Sequence, residues 1–372
     1  MQFQRVRLAS IGYMVPSERI SSDQLEQQLA PLYERLQLPE GRLELMTGIQ
    51  ERRLWPADSM PSDASIESAR LALQPHSLLQ DQVGLLIHAS VCRDHLEPAT
   101  ACRVHDSLGL PSECLVYDVS NACLGLLNGM LQAAMMIELG YIRAAVVVGT
   151  EDSRSLLETT VASLNADTSL TRQDIKLTLA SLTIGSASAA IVLCDEELLP
   201  DGSQLIAAAA IADTEHHGLC QSSQDGAIGQ QMQPLMQTDS ERLMQEGIRT
   251  GTRTFSSLCQ TTGWSAADID RTVCHQVGSA HRLAMLSSLE LDVKNDFATF
   301  PWLGNTGSVA LPITLAAAAQ EDFLAAGQQL AMMGIGSGIN CIMLAANWQH
   351  TTVQGNDRIC PPPADRMLDV RS

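Results

Sequence analysis

Residues 115–139, LVYDVSNACLGLLNGMLQAAMMIEL, combine two kinds of pattern. The opening run LVYDV is typical of a buried strand, and apolar residues then recur at 124, 127, 130, 131, 134 and 135, which is helical spacing. Cys123 lies between the two patterns. The stretch therefore predicts a strand that leads through a short turn into a helix, with a thiol at the helix N-terminus.

The same alternation runs through the rest of the chain. Runs typical of strands occupy residues 83–88 and 144–148, and helical spacing occupies residues 65–73 and 241–255. Strands that alternate with helices indicate a layered α/β fold.

Two pairs of segments in the sequence suggest an internal repeat. Residues 184–193 (IGSASAAIVL) and 335–344 (IGSGINCIML) share five of ten residues at an offset of 151. The segment that ends at Cys123 and the strand 272–274, which ends at His275, give a second pair at an offset of 152. Two pairs at one period predict a duplicated α/β unit whose equivalent strand ends carry the thiol and the imidazole. Chance similarity between strands rich in Gly, Ala and Ser is the alternative.

This duplication predicts a boundary in the polar, turn-rich segment 195–204. We expect one half over residues 1–200, which carries the Cys, and a second half over 201–348, which carries a His and an Asn. Residues 349–372 contain three consecutive prolines and no apolar period, so we expect a flexible tail in which Cys360 has no catalytic role.

Composition excludes several classes of protein. The 372 residues include 42 acidic and 23 basic side chains, and the formal charge of −19 makes nucleic-acid binding unexpected, because such a surface repels phosphates. Aromatic residues make up only 3% while methionines number 15, which indicates a core of aliphatic and sulfur side chains.

Targeting and metal signals are missing from the sequence. The N-terminal stretch MQFQRVRLASIGYMVPSER has no apolar core of the kind that a signal peptide needs. The longest apolar stretch, residues 123–139, is interrupted by Asn128, Gln132 and Glu138, so no membrane span is expected. The ten cysteines form no CxxC motif and no zinc-type cluster with histidine. We therefore expect a cytoplasmic protein with mostly free thiols and no bound metal.

Cys123 is the first candidate for chemistry. The free N–H groups and the dipole of a helix N-terminus favour a thiolate, so this position predicts a nucleophile. A small buried hydrophobe is the alternative, because that is the usual role of cysteine. A nucleophile elbow of the α/β-hydrolase type is disfavoured, since Asn121 stands where that turn needs glycine.

His275 and Asn305 are the second and third candidates. His275 follows a predicted strand of the second half, where it can lower the pKa of the thiol or donate to an oxyanion. Asn305 lies in the Gly-flanked loop 304–308, where a neutral amide can polarise a carbonyl, although Asn beside Gly is also common as a turn residue or cap. The Gly-rich loop 334–338 can supply a further backbone N–H donor.

These motifs resemble those of the thiolase superfamily. The blocks DVSNACLG at 118–125, HQV at 275–277 and GNTGS at 304–308 are similar to its ketoacyl synthase III branch. Within that branch, GIQERRLW at 48–55, RDHLEPAT at 93–100 and GIGSGINC at 334–341 most resemble the OleA family. Thiolases proper are less similar, because Asn305 stands where they carry the histidine of a Gly-His-Pro motif.

The resemblance implies a duplicated, five-layered αβαβα fold of the thiolase type and a homodimer. It further implies a non-decarboxylative Claisen condensation of two fatty acyl-CoA substrates to a β-keto acid, through an acyl intermediate on Cys123 and without a cofactor. His275 and Asn305 would hold the thioester oxygen of the second substrate. The backbone N–H groups of Cys123 and Ser337 would form the oxyanion hole.

Glu97 matches the base of that family, which implies that it removes the α-proton in the active site of the partner subunit. The residues alone leave a helix start as the alternative, because Pro98 follows and proline is favoured at the first helical position.

Other functions also stay open: a decarboxylative 3-oxoacyl-ACP synthase III, a pyrone- or resorcinol-forming ketosynthase, and a catalytically silent scaffold subunit. Downstream biosynthetic enzymes are further candidate partners.

Overall fold

The computed structural model describes residues 1–222 and 236–359. The strands of these ranges are β1 (Val6–Met14), β2 (Glu18–Ser21), β3 (Glu51–Leu54), β4 (Val83–His88), β5 (Leu115–Asp118), β6 (Ala144–Glu151), β7 (Ala187–Asp195), β8 (Ser203–Ala212), β9 (Cys220–Ser222), β10 (Met236–Thr238), β11 (Arg271–Cys274), β12 (Asp296–Phe297), β13 (Gln329–Gly336), β14 (Asn340–Asn347) and β15 (Thr352–Gly355). The α-helices are α1 (Ser22–Gln28), α2 (Ala30–Leu36), α3 (Arg42–Thr47), α4 (Pro61–Leu73), α5 (Thr100–Leu108), α6 (Gly125–Glu138), α7 (Arg154–Ala166), α8 (Arg172–Thr178), α9 (Ser240–Thr262), α10 (Ser279–Ser288), α11 (Phe300–Leu303) and α12 (Ala310–Gln320). Short 3-10 helices occupy Gln74–Gln82, Leu179–Leu182, Thr214–Leu219, Ala266–Asp268, Val293–Asn295 and Gly307–Val309.

Most strands belong to one sheet, in the order β12-β11-β13-β14-β8-β1-β7-β6-β4-β5, with β15 added to β1. In the first half, β7 pairs antiparallel with both β1 and β6, and β4 pairs parallel with both β6 and β5. The other half repeats this arrangement with β8, β14 and β13 antiparallel and β13, β11 and β12 parallel. The halves are joined where β1 pairs with β8. One five-stranded topology is therefore present twice.

This strand order corrects part of the predicted repeat. The similarity between residues 184–193 and 335–344 falls on β7 and β14, which occupy equivalent places. However, β11, which precedes His275, is equivalent to β4, whereas β5, which precedes Cys123, is equivalent to β12. The shared offset of Cys123 and His275 is therefore a coincidence. The topological counterpart of Cys123 is the loop after β12, which carries Asn305.

Five layers follow from the faces that the apolar side chains cover. Helices α6 and α12 lie between the two halves of the sheet in one shared core. Helices α4 and α5 cover the outer face of the first half, and α9 and α10 cover the outer face of the second. The fold is therefore the five-layered αβαβα arrangement that the family resemblance implies.

Small side chains allow the central helices to approach the sheet closely. Helix α12 reads ALPITLAAAAQ and is buried over residues 310–318, as expected for a helix that is apolar all round. On α6, a methyl group at Gly129 would lie 2.5 Å from Cγ1 of Val147 in β6. Glycine at this position therefore sets the distance between helix and sheet.

The predicted elements are present, with two corrections at the sheet edges. Strand β4 has the predicted bounds, while α4 and α9 are longer than predicted. The segment around β5 was predicted to be a buried strand, but β5 pairs only with β4 among the described strands and Leu115 is 50% exposed. It is therefore an edge strand.

The second correction concerns the chain end. The predicted flexible tail, residues 349–372, contains β15, which pairs parallel to β1 from Thr352 to Gly355. Ile359 is buried, and Asp357 forms an ion pair of 3.1 Å with Arg53. The prediction is therefore wrong for this part of the segment, because β1 offers a pairing edge that the sequence pattern does not show. Residues 360–372, with Cys360, lie outside the described residues.

None of the helices in the described ranges is both long enough and apolar enough to span a membrane. The nine described cysteines are all free thiols. Both findings concern residues 1–222 and 236–359 only.

Gly12 provides a test of the packing between β1 and α4. A methyl group there would lie 2.0 Å from the carbonyl oxygen of Ser68 and 2.4 Å from the backbone nitrogen of Ala72. We expect Gly12→Ala to lower the free energy of unfolding by about 3 kcal/mol, because both obstacles are backbone atoms. Gly218→Ala is the control, since nothing lies within 4 Å of its added methyl group. Equal urea midpoints for the two variants would contradict this packing.

Candidate active site

A cavity of about 680 Å³ is lined by residues from both halves of the fold. Cys123, His275, Asn305 and Ser337 all line it, so four of the five predicted site residues are brought to one space. Much of the remaining wall is apolar, and it includes the methionines Met236, Met244, Met285, Met333 and Met343. The cavity therefore combines a thiol, an imidazole and an amide with walls suited to alkyl chains.

A strained turn presents Cys123 to the cavity. Ala122 has a φ of 45°, in the left-handed region that residues with a side chain rarely adopt, and α6 begins two positions after Cys123. The turn is held by the Asn121 side chain, which donates to Asn128 and accepts from Asn340. On the opposite side, a methyl group at Gly336 would lie 3.5 Å from the backbone nitrogen of Cys123. The Gly-rich loop therefore packs against the backbone of Cys123.

The ionisation of the thiol differs from the sequence prediction. The pKa of Cys123 is raised from 9.0 to about 12, chiefly by burial and also by the nearby Glu151 and Cys220. Desolvation of the charged form thus outweighs the stabilisation expected from the helix N-terminus. At neutral pH the resting residue is a thiol, and its proton must leave during attack.

Asn305 is fixed with its amide donor available. The backbone N–H of Gly307 donates to Oδ1 of Asn305 over 3.0 Å, and the Asn305 backbone pairs with Thr183 and Gly185 on either side. Because Oδ1 is engaged, the Nδ2 group is the end that can donate into the cavity. The turn interpretation is also correct, since the Oδ1 contact closes an Asx turn.

His275 is neutral at physiological pH. Its pKa is lowered from 6.5 to about 4, chiefly by burial and also by the charge of His281. The ring nitrogen Nδ1 has no hydrogen-bond partner among the described residues. A neutral imidazole can accept a proton at one nitrogen and donate from the other.

Glu97 stands apart from the other predicted residues. It is exposed, on the loop between β4 and α5, and does not line the cavity of its own chain. The helix-start alternative is wrong, because α5 begins at Thr100. The first backbone N–H groups of α5, those of Thr100 and Ala101, donate to the carboxylate of Asp118.

Sequence reasoning missed Glu151. This carboxylate ends β6, lines the cavity and accepts hydrogen bonds from the backbone N–H groups of Val91 and Cys92 and from Ser308. Burial raises its pKa above the usual value of 4.5. The sequence signal was weak: an acidic residue directly after the aliphatic strand AAVVVGT.

One group of potential metal ligands occurs in the described ranges, away from the cavity. It consists of Asp213, Glu215 and His216. The guanidinium of Arg249 already contacts all three, at 3.3, 3.3 and 2.9 Å. This group therefore forms an ion-pair cluster around an arginine.

Comparisons with known proteins agree with this geometry. Residues 259–348 match the family described as 3-Oxoacyl-[acyl-carrier-protein (ACP)] synthase III C terminal. A Shewanella oneidensis protein named acyl-CoA:acyl-CoA alkyltransferase is 38% identical over 351 residues, which cover 94% of this chain and 100% of that protein. A Xanthomonas campestris protein of the same name is 35% identical over 348 residues, with coverages of 94% and 100%.

Solved structures of Xanthomonas campestris OleA share the fold. A structure of a variant with bound lauric acid and lauroyl-CoA has a TM-score of 0.86 at 34% identity and covers 93% of this chain and 100% of that chain. A cerulenin-bound structure has a TM-score of 0.87 at 35% identity, with coverages of 94% and 98%. Fold and site together define a condensing enzyme of the ketoacyl synthase III branch of the thiolase superfamily. More particularly, the chain belongs to the OleA family, the acyl-CoA:acyl-CoA alkyltransferases.

The buried histidine generates a prediction about stability. Between pH 6.5 and about 4 the unfolded chain binds a proton at His275 that the folded chain does not, so stability falls as the pH falls through this window. We expect His275→Asn to reduce the loss of unfolding free energy between pH 7.5 and pH 5 by about 2 kcal/mol. The exposed His217→Asn variant is the control. An identical pH dependence of urea unfolding in wild type and His275→Asn would contradict the buried, neutral imidazole.

Proposed function

We propose that this enzyme joins two fatty acyl-CoA molecules by a non-decarboxylative Claisen condensation and releases a β-keto acid. The observation that carries the proposal is the convergence of Cys123, His275 and Asn305 on one methionine-lined cavity. The relatives named acyl-CoA:acyl-CoA alkyltransferase, and the OleA structure that holds lauroyl-CoA, support acyl-CoA as the substrate class.

The first half-reaction loads Cys123 with an acyl group. Because the resting thiol is protonated, the neutral His275 accepts its proton as the sulfur attacks the thioester, and then returns that proton to the departing CoA thiolate. The backbone N–H groups of Cys123 and Ser337 hold the oxyanion. Packing of the Gly-rich loop against Cys123 supports this assignment.

In the second half-reaction, the carbanion forms from another acyl-CoA. Its thioester oxygen is held by His275 and by Nδ2 of Asn305, which stabilise the enolate. Glu97 of the partner subunit removes the α-proton, and the enolate attacks the acyl group on Cys123. The carbon–sulfur bond to Cys123 breaks, and hydrolysis of the resulting β-ketoacyl-CoA releases the β-keto acid and CoA. This chemistry uses only side chains and backbone N–H groups, so we propose that the enzyme needs no metal or other cofactor.

We also propose a cytoplasmic homodimer. Strand β5 is an open edge of the sheet among the described strands. Leu115 at the start of β5, and Val91 and Leu96 on the loop after the neighbouring strand β4, are 50, 51 and 60% exposed. The loop that carries Glu97 starts at the cavity wall with Val91 and Cys92 and runs outward. A second copy on this edge would cover the apolar residues, and its active site would accept Glu97.

Enzymes that consume the β-keto acid are the proposed downstream partners.

Substrate dependence tests the reaction. With myristoyl-CoA alone, and without a malonyl donor, the wild type should form a β-keto acid that decarboxylates to a symmetric ketone detectable by gas chromatography. Cys123→Ala should lower ketone formation by at least about 1,000-fold, because the acyl intermediate is lost. Cys102→Ala, at an exposed cysteine outside the cavity, is the control. Ketone formation that requires malonyl-ACP would instead indicate a decarboxylative synthase.

Subunit mixing tests the role of Glu97. Cys123→Ala and Glu97→Gln should each be inactive alone, but a heterodimer of the two contains one intact site when the base acts across the interface. Random exchange of subunits should therefore restore about a quarter of wild-type activity. Absence of any restoration after verified exchange would show that Glu97 serves its own chain or is not the base.

A further inference from the structure

Glu151 is a buried acidic residue to which the proposed mechanism assigns no role. It ends β6, lines the cavity and is 7% exposed. Oε1 accepts hydrogen bonds from the N–H of Ser308 at 3.3 Å, from the Oγ hydroxyl of Ser308 at 2.5 Å and from the N–H of Val91 at 3.1 Å. Oε2 accepts from the N–H of Cys92 at 3.3 Å. One carboxylate therefore joins the segment that follows Asn305 to the start of the loop between β4 and α5.

The loop between β4 and α5 also carries Glu97. Its start is held by Glu151, and further along the loop the carboxylate of Asp94 accepts a backbone N–H of α4 over 2.9 Å. Residues 95–98, in contrast, are exposed. The chain from Cys92 to Glu97 can extend over at most about 18 Å. The position of the anchored start therefore limits where Glu97 can lie.

Proton abstraction by Glu97 depends on the placement of this loop. A general base must lie within hydrogen-bonding distance of the proton that it removes. Displacement of a catalytic group by about 1 Å can lower a rate about 100-fold. In the proposed dimer Glu97 enters the active site of the partner subunit. A displaced loop would therefore slow the reaction in the partner and not the reaction in the subunit that contains the loop.

We propose that Glu151 is a positioning residue for the active site of the partner subunit, an inference that rests on the proposed condensation and on the action of Glu97 across the dimer. By accepting the N–H groups at the start of the loop, the Glu151 carboxylate sets the position from which Glu97 extends. Its contacts with Ser308, which is buried directly before α12, hold the carboxylate itself in place. Glu151 thus lines the cavity of one subunit and supports proton abstraction in the other.

The substitution Glu151→Gln weakens one of these contacts selectively. Its amide oxygen can keep the three hydrogen bonds from Val91 and Ser308. The amide nitrogen is a donor, however, and it would face the N–H of Cys92, which is also a donor. The opposite orientation of the amide would set this nitrogen against two N–H groups, so it is disfavoured. We therefore expect Glu151→Gln to loosen the start of the β4–α5 loop and to leave the segment at Ser308 in place.

Subunit mixing tests the proposal, because Glu151→Gln can be placed on either subunit. In a mixed dimer of Cys123→Ala and Glu97→Gln, the intact site takes its thiol from the Glu97→Gln subunit and its base from the Cys123→Ala subunit. Glu151→Gln on the base-donating subunit should lower ketone formation from myristoyl-CoA about tenfold, because it displaces the donated loop. On the thiol-bearing subunit it should leave ketone formation at least about fivefold faster than that, because the donated loop is then unchanged. The exposed Glu40→Gln on the base-donating subunit is the control.

The rate of acylation separates a misplaced base from a general packing defect. Intact-protein mass spectrometry of the same mixtures follows the acyl group on Cys123, whose transfer from acyl-CoA does not need Glu97. With Glu151→Gln on the base-donating subunit, acylation of the thiol-bearing subunit should stay within about twofold of the mixture without this substitution, while condensation slows. Equal slowing of acylation and condensation would contradict a positioning role.

The comparison of the two placements decides the proposal. No loss of ketone formation with Glu151→Gln on the base-donating subunit, or a loss that is equal or greater on the thiol-bearing subunit, would overturn it. If Glu151→Gln does not fold, Glu151→Asp carries the test, because its side chain is too short to hold both segments at these distances: the same difference between placements supports the role, and its absence overturns the role. Absence of ketone in the mixed dimer without any change at Glu151, after verified exchange, would instead contradict the proposed function.

Discussion

Enclosure of two central helices is the constraint on which the rest of the structure depends. Helices α6 and α12 are apolar around most of their circumference and can be buried only between two sheet surfaces. Close approach is part of this packing, because a methyl group at Gly125 would lie 2.9 Å from the carbonyl oxygen of Ala89. The segments that lead into the two helices carry Cys123 and Asn305, so packing the core also assembles the site.

Much of this could be predicted from the sequence. Aliphatic runs such as Val83–His88 predict their strand bounds well, because a strand buried on both faces leaves an unbroken signal. The convergence of Cys123, His275 and Asn305 could be predicted from the resemblance to a family, whereas local patterns only suggested it. The repeat argument paired Cys123 with His275 incorrectly, since an offset along the chain does not specify which strands are equivalent within a sheet.

What the sequence could not provide depends on contacts between distant segments. In the sequence, Glu151 is only the last residue of a predicted strand. The groups that donate hydrogen bonds to its carboxylate belong to Ser308, which is 157 residues away, and to the loop at Val91. Likewise, the high pKa of Cys123 follows from burial in the finished fold, and a helix-terminus argument considers only local charges. The pairing of β15 with β1 joins the two ends of the described chain, where the sequence shows only a polar segment.

The central claim is that Cys123 carries the first acyl group in a cavity shared by both halves of the fold. Peptide-level mass spectrometry after incubation with myristoyl-CoA tests this most directly, because it locates the adduct on a particular side chain. We expect an acyl group on the Cys123 peptide in the wild type and no adduct in Cys123→Ala. An adduct that persists in Cys123→Ala, or that maps to another cavity cysteine such as Cys92 or Cys220, would contradict it.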